Sequence, residues 1–242
     1  AAQVTRTLGE LAAYSRTLKP DVLVSVNDFD AVMRPSYLVY GIDLPALAEV
    51  QDLLMIEDYG LPRWQPEDEP LVNNVLTLHT ALALAGNTPV TTDPYDKGIG
   101  FDGVYPPRRF VQGVAEAAAC GAPMVVKGTE FVEDGAFTLL TAERYAPQRR
   151  ALGEIHRWLE DNAPLYADRV NQAAIGLLFP GENLWLDWNR LAPCYFGAGQ
   201  ALIAAGLPWK VVSQPEHLTG LEILLAFEPV PPGWSLPEGL PF

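Results

Sequence analysis

Residues 52–60 read Asp-Leu-Leu-Met-Ile-Glu-Asp-Tyr-Gly, and this stretch decides how the rest of the chain is interpreted. Its apolar run, Leu53–Ile56, is too short for a helix but has the length of a strand that is buried on both faces. Glu57, Asp58 and Tyr59 come directly after it. Ligands of parallel sheets bind where the strands end. The stretch therefore predicts a parallel α/β fold with functional residues at the carboxyl ends of its strands.

Three other stretches repeat this pattern, and helical patterns separate them. The strands start roughly 30–37 residues apart, which is the length of a strand–helix unit with a generous loop. Strands that alternate with helices predict adjacent parallel strands joined by right-handed crossovers. The additional apolar runs are Val22–Val26, Pro89–Thr92 and Met124–Val126, and the helical patterns are Val4–Leu18, Leu44–Val50, Leu71–Ala85 and Pro107–Cys120.

After a long helical pattern at Arg149–Tyr166, strands and helices begin to alternate again. This order is typical of the start of a flavodoxin-like layer. We therefore expect two domains, residues 1–168 and residues 169–242, with the proline-rich tail from Glu228 lying over the surface. The predicted strands of the second domain are Ala173–Phe179, Trp209–Ser213 and Leu221–Phe227, and its main helix is Leu191–Ala205.

Composition and charge exclude several classes of function. The chain has 242 residues, of which 49% are hydrophobic, and its net charge is −14. Such a field repels phosphate backbones and anionic lipids, so we expect neither nucleic acid nor membrane as a partner. Two cysteines cannot form a disulfide framework, and the three histidines lack zinc-binding spacing, so we expect no metal and no cofactor. No signal peptide is recognisable, and a cytoplasmic location is slightly favoured.

Acidic side chains come after all four apolar runs of the first domain, interleaved with aromatic residues. Paired carboxylates allow one group to act as an acid while the other is a nucleophile or stabilises charge. Aromatic rings beside them suit the apolar faces of a sugar. We predict Asp93 and Glu57 as catalytic residues. The predicted substrate-binding residues are Asn27, Asp28, Asp58, Tyr59, Tyr95, Asp96, Lys127 and Glu130.

Each of these residues also has a structural interpretation, which the sequence leaves open. Glu57 could form an ion pair with Arg63 or Lys127, because a carboxylate beside a buried strand needs a partner. Asp93 could cap the turn at the following proline, and Glu130 could do the same in its loop. Asn27 and Asp28 could bind the loop backbone as readily as a ligand.

Two further features lie in the second domain. The aromatic residues Trp185, Trp188 and Tyr195 beside Glu182 could line a pocket, although packing between the domains is the preferred interpretation. Cys194 lies within a helical pattern and not at a strand-to-helix turn. We therefore expect Cys194 to be a small buried side chain and not a nucleophile.

The order of these parts resembles the second half of a glycoside-hydrolase-type (β/α)8 barrel. The segments after the barrel-like part are similar to the flavodoxin-like, or trimerisation, domain after the barrel in family 42 β-galactosidase-type proteins. The resemblance rests on the order of elements in these segments: KPDVLVSVND (19–28), DLLMIEDYG (52–60), TPVTTDPYD (88–96), APMVVKGTEF (122–131), AAIGLLFPGENLWLDW (173–188) and LEILLAF (221–227).

The resemblance implies that the four strands are the fifth to eighth of a barrel, and that the first four precede Ala1. In that family a Glu at the end of the fourth strand is the general acid, which this chain does not contain. The nucleophile is a Glu at the end of the seventh strand, where this sequence has Asp93. The resemblance also implies a homo-oligomer formed through the flavodoxin-like domain.

Two functions from different classes are therefore compatible with the sequence. The first is a fragment of a carbohydrate-active glycoside hydrolase, with a carbohydrate substrate, Asp93 as nucleophile or stabiliser and Glu57 as a second acid or sugar ligand. The second is a non-catalytic carbohydrate-binding or assembly module on the same fold. On the first interpretation, we expect the 242 residues alone to be inactive and poorly soluble.

Overall fold

The computed structural model describes residues 1–58, 73–94, 106–125, 129–131, 137–139, 141–167 and 171–241. The fold is mixed α/β with parallel strands in small sheets, as the sequence predicts. The residues divide into two compact units: unit 1 comprises residues 1–54, 79–89 and 170–242, and unit 2 comprises residues 55–78 and 90–169. The predicted domain boundary at residues 168–169 stays a prediction.

Helices and short strands alternate along the chain. The helices are α1 (Ala2–Leu18), α2 (Ser36–Tyr40), α3 (Leu44–Ala48), α4 (Val75–Ala85), α5 (Pro107–Cys120), α6 (Ala146–Asp161), α7 (Asn183–Leu186) and α8 (Trp188–Ala204). The strands are β1 (Asn27–Phe29), β2 (Leu54–Asp58), β3 (Val90–Pro94), β4 (Thr129–Phe131), β5 (Phe137–Leu139), β6 (Ile175–Leu178), β7 (Trp209–Val212) and β8 (Ile223–Leu225). In the part of the chain described, no helix is long and apolar enough to cross a bilayer.

The helix predictions are mostly confirmed, and their ends follow from local chemistry. α1 and α5 match the predicted spans, and Gly121 ends α5 with a φ of +89°, a conformation that glycine adopts without strain. α6 begins at Ala146, before the predicted Arg149, and ends at Asp161, before the predicted Tyr166, because a 3₁₀ turn at Ala163–Leu165 with proline at its second position replaces its last turn.

The first sheet has the strand order β1-β2-β3, which agrees with the predicted order of the first three strands. The apolar side chains of Leu54 and Ile56 in β2 are completely buried, as expected for a strand within a core.

The predicted strand Val22–Val26 is wrong, because the strand of this region is β1, which begins at Asn27. The amide of Val24 donates to the Asp52 carboxylate at 2.7 Å, and the amide of Val26 donates to the Gln51 side-chain oxygen at 2.7 Å. Two backbone amides that would bond to a neighbouring strand in a sheet are thus bonded to side chains instead. Leu23 is 81% exposed, so this apolar run is not buried either.

The predicted strand Met124–Val126 is reduced to a single parallel bridge between Thr92 and Met124, and Val126 lies outside the described residues. The Thr92 amide donates to the Pro123 carbonyl at 3.1 Å, and the Val125 amide donates to the Thr92 carbonyl at 2.7 Å. The segment therefore lies beside β3, as predicted. The antiparallel pair β4–β5, which comes after it in the chain, was not expected from the sequence.

The second sheet, in unit 1, has the parallel order β7-β6-β8. A flavodoxin-like sheet begins with this order, because its first strand lies between its second and third. β6, β7 and β8 are shorter than the predicted runs but fall within them. The residues after Glu228 cover β8: the Leu224 amide donates to the Pro241 carbonyl at 3.0 Å, and Trp234 packs on the cluster that contains Leu224.

Gly176 at the centre of β6 has no room for a side chain. A Cβ atom there would lie 2.5 Å from Leu221 Cδ1 and 2.8 Å from Val212 Cγ2. We expect Gly176→Val to lower the free energy of unfolding by about 2–3 kcal/mol, because the branched side chain overpacks the core. Urea denaturation followed by circular dichroism measures this. An equal stability of the variant and the parent chain would show that the packing around β6 is looser than described.

Candidate functional site

The two predicted catalytic carboxylates lie on neighbouring strands of unit 2. Glu57 is the fourth residue of β2 and Asp93 is the fourth residue of β3, and both side chains are half-buried. The Leu54 amide donates to the Pro89 carbonyl at 2.9 Å. In parallel pairing this bond sets Leu54 beside Val90. We infer that the same register sets Glu57 beside Asp93.

This register has a chemical consequence. Adjacent strands are about 4.8 Å apart, so matching side chains on the same face can bring their carboxyl groups to about 5 Å. A separation of about 5–5.5 Å is typical of retaining glycosidases, in which one carboxylate is the nucleophile and the other is the acid and base. The arrangement can therefore support chemistry by paired carboxylates.

The other predicted residues of this region are only partly described. Asp58 is the last residue of β2, and Glu130 lies in β4 opposite Thr138. The remaining predicted residues, and the proposed ion-pair partners of Glu57, lie outside the described residues: Tyr59, Arg63, Tyr95, Asp96 and Lys127.

Asp28, predicted to bind substrate, is a buried carboxylate in unit 1. Its side chain has no exposed surface, and its Oδ2 accepts a hydrogen bond from the Gln51 amide at 3.0 Å. Its Oδ1 has no hydrogen-bond partner among the residues that the structure describes. Burial raises the pKa of Asp28 to about 6, and the bond from Gln51 opposes this shift. Asn27, one residue earlier, is exposed.

Asp30 is a second buried carboxylate that the site prediction omitted. Its Oδ1 accepts from the Val32 amide at 2.8 Å and also from the Met33 amide, which is the geometry of a turn stabilised by an aspartate. Arg34 Nε lies 4.0 Å from its Oδ2. Burial raises the pKa of Asp30, while the two amides and Arg34 oppose this shift. Asp30 comes two residues after Asp28, and in an extended chain this spacing places both side chains on one face. This spacing is the feature of the sequence that could have indicated the second carboxylate.

The remaining titratable groups are part of the packing. His79 in α4 packs within unit 1, with its ring centroid 4.9 Å from the Trp209 ring. Cys194 lies in α8 as predicted but is exposed, so its predicted burial is wrong: it occupies the outer face of the helix. Within the described ranges, no three His, Cys, Asp or Glu side chains are grouped so as to hold a metal ion.

Comparisons with known proteins relate the fold to β-galactosidases. No protein-family model and no curated protein matches the sequence. The structure is similar to a cold-adapted β-galactosidase from Rahnella sp. R3, with a TM-score of 0.58, 18% identity, and coverage of 92% of this chain and 35% of that one. It is also similar to a β-galactosidase from Bacillus circulans sp. alkalophilus, with a TM-score of 0.57, 14% identity, and coverage of 86% and 32%.

At these identities the likeness shows a fold and not an activity. The chain spans about a third of the length of each of these β-galactosidases. The expected α/β fold with parallel strands is therefore shared with part of these β-galactosidase structures, and the partial coverage is consistent with a partial barrel.

Proposed function

We propose that these 242 residues are part of a carbohydrate-active glycoside hydrolase that cleaves a glycosyl bond with paired carboxylates. The observation that carries this proposal is the equivalent position of Glu57 and Asp93 on the neighbouring strands β2 and β3. The likeness of the fold to β-galactosidases supports it. A sugar bound at the two carboxylates would contact Asp93 at its anomeric carbon and Glu57 as a second acid or a hydroxyl-binding group.

In this proposal Asp93 is the nucleophile or the group that stabilises positive charge on the anomeric carbon. Glu57 serves as a second acid or binds a sugar hydroxyl. Both side chains are half-buried, so water screens their charge less than it would on the surface. The general acid expected from the resemblance would come from residues outside this chain.

The proposed domain layout rests on the same resemblance. Residues 1–168 would be the second half of a (β/α)8 barrel, and residues 169–242 the start of a flavodoxin-like domain through which the protein forms homo-oligomers. The parallel order β7-β6-β8 supports the second assignment, since flavodoxin-like sheets begin in this order.

A non-catalytic carbohydrate-binding or assembly module is the alternative, and one observation favours it. The family resembled has Glu at the position of the nucleophile, and this chain has Asp93. The shorter side chain ends farther from a sugar held at the usual place, and small displacements of this kind reduce rates strongly. Such a protein would still bind sugars through the same oxygen atoms.

Hydrolysis and binding can be compared on one panel of sugars. The protein that its gene encodes, containing these 242 residues, is incubated with para-nitrophenyl glycosides of the common hexoses and pentoses, and nitrophenolate release is followed. Isothermal titration measures binding of the same sugars. Turnover of at least one glycoside supports the hydrolase. Saturable sugar binding without turnover of any glycoside supports the module and contradicts the hydrolase.

A further inference from the structure

A pocket of about 280 Å³ lies at the carboxyl ends of β6 and β7 in unit 1. Glu182 comes after β6, and Ser213 comes directly after β7. β6 lies at the centre of this sheet, with β7 on one side and β8 on the other. The direction in which successive strands are added to the sheet therefore reverses at β6. In open parallel sheets, ligands bind in the crevice outside such a reversal point. None of the candidate catalytic residues is among the described residues that line this pocket.

Aromatic side chains form the wall of the pocket. Trp185 stacks on Tyr37 with 5.4 Å between ring centroids and an interplanar angle of 6°. On the same indole, Trp188 stacks at 6.0 Å and 9°, and Phe179 makes an edge contact at 6.4 Å. Trp185 is therefore held in position before a ligand arrives. Trp234, from the segment that covers β8, also lines the pocket.

The oxygen atoms of the pocket are arranged to accept hydrogen bonds. Ser36 donates its hydroxyl proton to the Asp30 carbonyl at 2.8 Å, and Ser213 donates its own to the Ala83 carbonyl at 2.7 Å. The Ser36 hydroxyl is left with acceptor capacity only, whereas the Ser213 hydroxyl also lies 3.4 Å from His217 Nδ1. The carboxylates of Asp43 and Glu182 also line the pocket and only accept when ionised.

The charge of the pocket is negative. No lysine, arginine or histidine is among its described lining residues, and the nearby Arg190 is paired with both Asp187 and Glu228. A phosphate or carboxylate ligand would meet two carboxylates without a counter-charge. A neutral polyol carries no charge that the two carboxylates would attract. An ammonium group has donors only, its charge is attracted by the carboxylates, and its apolar body can pack against the aromatic side chains of the pocket.

We propose that this pocket binds a small organic cation, an ammonium group carried on an apolar or aromatic body, in contact with Trp185, Asp43 and Glu182. The ligand is small because the volume is just below the usual range of ligand pockets. The expected packing of these aromatic residues against the predicted first domain is seen in the stack of Trp185 on Tyr37 and in the hydrogen bond between Tyr195 and Thr80. Trp185 in addition lines this pocket within unit 1.

Three probes of one shape and different charge test the proposal: benzylammonium, benzyl alcohol and benzoate. Each is titrated into the full chain, and the indole N–H signal of Trp185 is followed by NMR, after its assignment with Trp185→Phe. We expect benzylammonium to bind with a Kd at least about tenfold below that of benzyl alcohol, and no binding of benzoate up to about 20 mM. Equal Kd values for the cation and the alcohol, binding of benzoate, or no saturable binding of benzylammonium would each overturn the proposal.

Single substitutions then locate the site. Glu182→Gln and Asp43→Asn should each raise the Kd of benzylammonium about threefold or more, and the asparagine keeps the cap of α3 because it accepts the Ala46 amide equally well. The control is Glu154→Gln on the exposed side of α6, which changes the net charge equally and should leave the Kd unchanged. Pocket variants that bind like the control would show that the attraction is only the overall negative charge.

Discussion

Asp93→Asn should lower kcat on a para-nitrophenyl glycoside at least about a hundredfold, because the amide neither attacks the anomeric carbon nor stabilises its positive charge. KM should change little, since the amide has nearly the same size and can still hydrogen-bond the sugar. The assay uses the gene-encoded protein with the glycoside that it hydrolyses fastest, and kcat and KM are determined separately.

The matched control for this substitution is Glu154→Gln, an exposed carboxylate on α6 in the same unit. It should keep the kcat of the parent protein. Circular dichroism establishes that both variants are folded. A folded Asp93→Asn protein with undiminished kcat would remove Asp93 from the catalytic residues and favour the sugar-binding module.

Asp28→Asn should stabilise the protein at neutral pH. The rise of the Asp28 pKa from 3.8 to about 6 means that the folded state holds a proton which the unfolded state releases. Its contribution to stability is thus largest below pH 4 and is lost as the pH rises from about 4 to 6. Asparagine cannot ionise and still accepts the Gln51 bond, so the gain above pH 6 is about 3 kcal/mol at most.

Urea denaturation of both proteins at several pH values between 4 and 8 measures this difference. The gain in unfolding free energy should grow from pH 4 to pH 6 and then stay constant. Both proteins should share the pH dependence from Glu116, whose pKa burial raises to about 7 against a hydrogen bond from the Asn74 amide. A gain that is independent of pH would mean that Asp28 titrates near its ordinary value of 3.8.

The alternation of helices and strands could be predicted from the sequence because it depends on local patterns. The span of α5 could be predicted from the proline at its start and from Gly121 at its end. Val22–Val26 could not be distinguished from a buried strand, since its amides bind the side chains of Gln51 and Asp52, and sequence patterns do not reveal such contacts.

The candidate site, like the fold, could be predicted from the sequence only in part. Glu57 and Asp93 could be selected because each comes after a buried run, but their register follows from the bond between the Leu54 amide and the Pro89 carbonyl, which the sequence does not reveal. The raised pKa of Asp28 could not be predicted, because it depends on burial and on a bond from Gln51, which lies 23 residues away. The pocket around Trp185 depends on residues from several separate segments, whose meeting only the fold determines.

Chemical rescue with azide tests whether the Asp93 carboxylate reaches the anomeric carbon of a glycoside. Asp93→Gly removes the carboxylate and leaves space for azide, which attacks the anomeric carbon as para-nitrophenolate leaves with the bonding electrons, so no general acid is needed. Azide should raise the rate of nitrophenolate release by the glycine variant at least about tenfold and yield a glycosyl azide, detected by mass spectrometry. A folded variant that azide does not accelerate, and that forms no glycosyl azide, would contradict this role of Asp93.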